Sequence, residues 1–112
     1  MTPAEIAAYR TELQHMLQDL DTEKSLGAEA TRTVTLDQQS VGRLSRMDAM
    51  QQQAMARAQQ IRRDTTAARI RAALARIDAD EFGYCVECGD DIAPARLHFD
   101  PTTPTCIGCA KG

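Results

Sequence analysis

Apolar residues return at spacings of three and four from the start of the chain: Ile6, Tyr9, Leu13, Met16 and Leu20. That rhythm is the seam of an amphipathic helix, sustained over two heptads. Thr2 stands where an N-cap belongs, and Pro3 falls in the first turn, where its missing N–H costs nothing. The pattern fades at Ser25 and Gly27 is a stop signal, so the spacing predicts a helix over about 3–25. Residues 26–36, LGAEATRTVTL, are rich in β-branched side chains without a sustained alternation, and a loop is expected over about 26–39.

Asp37 or Ser40 can cap a second helix, expected over about 40–81, with no proline and one glycine, Gly42, in its first turn. Some forty residues of helix run ~60 Å and need something to lie against. Two apolar sets recur along it. Met47, Met50, Ala54, Ala58 and Ile61 share one side, and Ala67, Ile70, Leu74 and Ile77 form another. Ile61 and Ile70 are nine residues apart, which at ~100° per residue sets them on opposite sides. The first helix is expected to pack on the first set, and the second set to meet the C-terminal segment or another chain. A fully extended linker would instead let the first helix reach the second set.

Composition narrows the class. Two Phe, two Tyr and no Trp in 112 residues are too few aromatics for a large globular core, and much of the 43% apolar content is alanine. Alanine favours helix and buries little area. The net charge of −3 hides an asymmetry. Residues 1–30 carry six acids against Arg10 and Lys24; residues 41–76 carry eight arginines against Asp48 and Asp64, net +6; residues 77–112 carry seven acids against Arg96 and Lys111. An acidic and a basic helix invite antiparallel pairing. Arg62, Arg69 and Arg76 recur every seven residues, a stripe expected to pair with the acids of the first helix or, alternatively, to meet an acidic protein or nucleic acid. The methionines read as seam-filling residues, and their clustering also fits an adaptable contact surface.

The chemistry lies near the C-terminus. Cys85-x-x-Cys88 and Cys106-x-x-Cys109, with seventeen residues between the pairs, have the spacing of a four-thiolate zinc site, and Gly89 is placed to curl the backbone. Four thiolates close a structural tetrahedron and leave no open catalytic position, so His98 is expected to stay outside it. Disulfides need an oxidising compartment, and the N-terminus carries no export signature, so a cytoplasmic location is expected. No apolar run approaches a membrane span. No G-x-x-x-x-G-K, H-E-x-x-H or G-x-S-x-G occurs, and an enzyme is not expected.

The segment DEFGYCVECGDDIAPARLHFDPTTPTCIGC resembles the DksA/TraR family of bacterial regulators. The likeness is strong over 82–109: acids, then G-Y-C-x-x-C-G, Ile92, Ala95-Arg96-Leu97, Pro101 and the second C-x-x-C. With the heptads and opposed charges, the expected fold is mainly α: an antiparallel two-helix coiled-coil hairpin (1–81) with a small C-terminal four-cysteine zinc-finger module (82–112). The resemblance implies one structural zinc on Cys85, Cys88, Cys106 and Cys109. It also implies a transcription regulator that binds RNA polymerase through its secondary channel, with the hairpin tip near the active site.

The family's tip pattern D-x-x-D-x-A survives here only in its first acid, in Asp37-Gln-Gln-Ser40-Val-Gly42. Asp48 is a second candidate, and the tip set implied is Asp37, Ser40, Arg43, Arg46 and Asp48. Some family members work with ppGpp, which makes it a candidate partner, although their alarmone sites use regions outside the finger. Two other readings stay open. One is a zinc module that binds nucleic acid, which the acidic finger (Glu87, Asp90, Asp91, Asp100) disfavours. The other is a thiol-based redox sensor using the same cysteines.

Overall fold

The computed structural model describes residues 1–37 and 43–111, with the backbone alone described for 27–37 and 43–45. Among the described residues four helices follow in order: α1 (Pro3–Asp37), α2 (Arg43–Asp78), α3 (Pro94–Phe99) and α4 (Ile107–Lys111). No strand occurs among the described residues; Tyr84 and Asp91 form an isolated antiparallel bridge.

Thr2 caps α1, its hydroxyl accepting the Glu5 N–H at 3.2 Å and its carbonyl the Ile6 N–H at 3.1 Å. The helix does not stop near residue 25. It runs through Gly27 and the threonines to Asp37, twelve residues beyond the expected end, and most of the expected loop is helical. Glycine and β-branched residues each lower helix propensity by at most ~1 kcal/mol, and only proline or a formed cap ends a helix outright. No proline lies between Pro3 and Pro94.

The second helix, Arg43–Asp78, ends three residues before the expected 81; the expected start at 40 lies outside the described residues. Its C-terminus explains itself. Asp80 takes φ 58°, the Glu81 N–H reaches back to the Arg76 carbonyl at 2.8 Å, and the Asp80 N–H to that of Ile77 at 3.2 Å. This is a Schellman cap with aspartate where glycine is usual.

Two compact units divide the chain, Met1–Leu17 with Ala67–Gly112 and Gln18–Thr66, so the division runs across both long helices. In the first unit, Leu13, Ile70, Ala73 and Leu97 are fully or almost fully buried, joined by Ile77, Phe82 and Ile92. The Tyr9 and Phe82 rings meet at 5.4 Å, tilted by 51°, and Arg10 pairs with Asp78 at 2.8 Å. The start of α1 thus packs on the Ile70–Ile77 set, contrary to the first expectation.

In the second unit the expected seam is inverted. Met47, Met50 and Ile61 are 63%, 68% and 60% exposed. Ala54 and Ala58 are exposed as well, whereas Ala49 is buried and Gln53, Ala56, Gln60 and Arg63 are half-buried. The inward positions 49, 53, 56, 60 and 63 keep one heptad rhythm, and 67, 70, 74 and 77 continue it along α2. The helix therefore has a single inner face, and hydrophobicity alone misplaces it between 47 and 61. Arg63 donates two hydrogen bonds to the side-chain carbonyl oxygen of Gln60 (3.1 and 2.9 Å) and Gln60 donates to Asp64 at 2.8 Å, so these polar groups are satisfied along α2 itself.

Candidate metal centre

The four cysteines come from two tight backbone knuckles. In the first, the Cys85 N–H donates to the Asp90 carbonyl (2.8 Å) and the Gly89 N–H to that of Cys85 (2.9 Å), with Gly89 at φ 80°. The second knuckle opens α4, whose first turn carries Cys109, and the Ala110 N–H closes on the Cys106 carbonyl at 3.0 Å. A bond from the Val86 N–H to the Pro104 carbonyl (2.9 Å) ties the knuckles together. Gly83, at φ 91°, passes beneath Met1 and Leu97; an added Cβ there would lie 2.8 Å from the Met1 methyl carbon.

All four Sγ atoms lie within 4.8 Å of one another, and Cys88 and Cys106 are 3.7 Å apart. A tetrahedron with Zn–S of ~2.3 Å has sulfur–sulfur edges of ~3.8 Å, so the donor set fits Zn²⁺ in size and chemistry. Cys85 is buried, Cys106 and Cys109 half-buried, and Cys88 exposed. The N–H groups of Cys88 and Cys106 pull the Cys85 thiol down to about 6. The Cys106 sulfur, followed by those of Cys85 and Cys88, pushes Cys109 up. One thiolate is held by backbone dipoles and its neighbours resist a second negative charge, the arrangement a divalent cation relieves. His98 is exposed on α3.

The segment between the knuckles is fixed to α2 by a set of contacts that motif reading missed. The Asp100 carboxylate accepts the Thr102 N–H (3.0 Å) and hydroxyl (2.6 Å) on one oxygen and the Arg69 guanidinium (3.1 Å) on the other. Arg76 donates to the Thr102 carbonyl at 3.4 Å, and Arg96 to that of Thr105 at 3.0 Å. Pro101, Thr102 and Thr103 are buried. Two of the three arginines in the stripe therefore serve the C-terminal segment, not the acids of α1. An aspartate two residues before a threonine is the signature of an Asx turn, and that local part was readable.

Partial burial pushes the Asp100 carboxyl up, but the Thr102 hydroxyl and N–H and the Arg69 guanidinium outweigh it and hold it below its usual range. A depressed carboxyl contributes stability that is fully present above its unfolded pKa of ~3.9 and lost as the pH falls through the folded value. Asp100→Ala should therefore cost ~1–2 kcal/mol at pH 7, discounted for its exposure. In urea titrations the gap to wild type should be constant from pH 7 to about 5 and narrow below about pH 4, where protonation of the thiolates also releases the segment in both chains. A gap that stayed constant down to pH 3 would show that the carboxylate is not the stabilising species.

Of the expected tip residues, Asp37 ends α1 and Arg43 opens α2, with their side chains outside the described set; Ser40 lies outside the described residues. Arg46 and Asp48 are exposed on α2. Two residues apart on a helix, they turn ~200° from one another, so they present to different sides.

A long-helix protein with a four-cysteine knuckle module is the class this architecture defines. Residues 80–112 match the prokaryotic dksA/traR C4-type zinc finger family. Over 41 residues the chain is 46% identical to the RNA polymerase-binding transcription factor DksA of Haemophilus influenzae, covering 37% of this chain and 28% of that protein. To its counterpart in Escherichia coli it is 39% identical over 41 residues, 37% of this chain and 27% of that protein. The chain thus aligns with little more than a quarter of the length of these relatives. The fold matches the solved structure of the transcription factor DksA2 from Pseudomonas aeruginosa with a TM-score of 0.87, at 22% identity, over 99% of this chain and 84% of that one. Residues 80–112 thus resemble a DksA/TraR-type C4 module, and the chain is DksA-like in fold.

Among the described residues, no helix is long and apolar enough to cross a membrane.

Proposed function

We propose that this chain is a transcription regulator that binds RNA polymerase and modulates initiation, inserting α1 and α2 into the secondary channel and keeping its C-terminal module outside. One structural zinc, held by Cys85, Cys88, Cys106 and Cys109, folds the module; bound there it neutralises thiolate charge and supplies no open coordination position. The observation that carries this reading is double. Over 41 residues the chain is 46% identical to a polymerase-binding factor, and 99% of the chain shares the DksA2 fold at a TM-score of 0.87.

Long helices suit a channel that a globular domain cannot enter. The tip set is Asp37, Ser40, Arg43, Arg46 and Asp48. Asp37 is the better-placed acid, because only residues 38–42 separate it from the start of α2, whereas Asp48 follows more than one turn inside that helix. The finger's acidity disfavours a phosphate-binding role. Residues 78–100 carry Asp78, Asp80, Glu81, Glu87, Asp90, Asp91 and Asp100 against Arg96.

The test is co-purification with RNA polymerase, followed by photocrosslinking from positions 37 and 48. Crosslinks to the catalytic elements of the polymerase from 37, and weaker ones from 48, are expected. Binding to naked promoter DNA without polymerase would overturn the reading.

A further inference from the structure

The two cysteine pairs are not held alike. Cys85 is buried, and the first knuckle is closed by three backbone bonds, Cys85 N–H to Asp90, Gly89 N–H to Cys85 and Ile92 N–H to Gly83, at 2.8, 2.9 and 2.8 Å. The second pair rides on α4, a five-residue helix with no buried residue, and Ile107 between its cysteines is 61% exposed. No apolar burial of its own seats this pair; the chain that enters it does the steering. Two successive carbonyls are engaged there, that of Pro104 by the Val86 N–H at 2.9 Å and that of Thr105 by the Arg96 Nε–H at 3.0 Å. The first bond joins knuckle to knuckle. The second reaches α3, which Leu97, 1% exposed, anchors in the core.

Arg96 is well placed to act on that carbonyl. It is half-buried, its N–H donates to the Ala93 carbonyl at 3.0 Å, and its own carbonyl accepts the Asp100 N–H at 3.0 Å. Both ends of its backbone are therefore set before the side chain reaches out. Thr105 immediately precedes Cys106, and the peptide between them is trans, so its C=O and N–H point to opposite sides of one plane. Holding the Thr105 oxygen fixes that plane, and with it the direction in which the Cys106 backbone starts. We propose that Arg96 is a positioning residue for the metal centre: through the Thr105–Cys106 peptide it sets where the second pair of sulfurs stands. The proposal rests on the four-thiolate zinc reading above and adds the residue that orients half of the ligands.

Two further observations agree. The Cys106 N–H is one of the amides that draw the Cys85 thiol down, and it leaves the far side of the peptide that Arg96 holds. A cationic donor on a carbonyl polarises the amide and strengthens donation from its N–H. Charge points the same way, because four thiolates around one divalent cation stay net negative. Residues 77–112 contain two bases, Arg96 and Lys111; Lys111 is exposed in the last turn of α4, whereas Arg96 is half-buried. Partners that orient metal ligands from outside the coordination shell typically shift metal affinity ~10–100-fold.

The experiment uses the intact chain and zinc itself, with affinity read by competition against a chromophoric chelator. Arg96→Met keeps the stem and removes the donor, and should lower zinc affinity ~10–100-fold. Arg96→Gln puts a neutral N–H at the same point along the side chain as Nε, and should recover part of that loss. At saturating Co²⁺, Arg96→Met should move the sulfur-to-metal charge-transfer bands to lower energy, because a thiolate with a weaker hydrogen bond gives up its electrons more readily. Leu97→Val, a packing change on the same helix, should lower stability and leave the saturated bands where they are in wild type. Wild-type affinity or wild-type bands in Arg96→Met would overturn the positioning role and leave the zinc reading standing. So would an Arg96→Gln that binds no tighter than Arg96→Met, or bands displaced equally by Leu97→Val. A wild-type chain that bound no zinc would overturn both.

Discussion

Replacing Cys88 by Ser is expected to abolish stoichiometric zinc binding and to unfold the segment from about 80 to 111 while leaving most of the helicity of α1 and α2. The knuckles are held by few other forces. Their backbone bonds are single contacts such as Cys85 N–H to Asp90 and Val86 N–H to Pro104, and the apolar residues of the segment that are buried are few: Phe82, Cys85, Ile92 and Leu97. Zinc in small structural sites contributes an apparent ~10–16 kcal/mol at neutral pH, more than such a core supplies, so a three-thiolate site should not hold the fold. Cys88 is the exposed member of the cluster, which leaves its mutation free of packing effects and would give chelators their approach.

Metal analysis should read one zinc per wild-type chain and well under one for the variant. Amide exchange should rise through 82–111 while the amides of α2 near Ile70 stay protected. A variant that kept one zinc and unchanged protection would refute the four-ligand assignment.

Ile70→Ala should destabilise the chain by about 3 kcal/mol, whereas Ile61→Ala should cost less than ~0.5 kcal/mol. The two isoleucines look alike in the sequence, each on an apolar helical stripe. The structure separates them: Ile70 is 0% exposed and Ile61 60%. A buried isoleucine truncated to alanine loses transfer energy and leaves a cavity in a core of few large side chains. A loss of that size is a substantial fraction of the ~5–15 kcal/mol that holds a typical domain. For a chain of this length it should lower the melting temperature by ~10 °C or more. Comparable melting temperatures for the two variants would restore the inner face to the methionine side.

That contrast shows where sequence reading succeeded and where physics hid the answer. The α1 seam was legible because Ile6, Tyr9, Leu13, Met16 and Leu20 are both apolar and inward, with Leu13 fully buried. The cysteine cluster was legible because four sulfurs at that spacing have few other uses, and their Sγ atoms do converge within 4.8 Å. The inner face of α2 before residue 67 was not. Its inward residues are alanine, glutamine and arginine while its methionines face water, so a hydrophobicity rule reports the reverse of the geometry. The arginine stripe was found, but its partners were not. Arg69 bonds to a carboxylate 31 residues away, and no local pattern announces such a pairing. The length of α1 was underestimated because a weak helix former such as Gly27 was read as a terminator.

The inward polar residues of α2 have one more consequence. Arg63 bonds to Gln60 and Gln60 to Asp64, all on the same helix. Exposing this face of α2 would strand none of these donors or acceptors and would wet, on α2 itself, chiefly alanine methyls and the stems of long side chains. Such a seam can unzip and re-zip at small cost, while the stretch around Ile70 opens only when the domain does. The chain thus carries a graded fastening along a single helix, tight where the knuckles are anchored and reclosable where its methionines look outward.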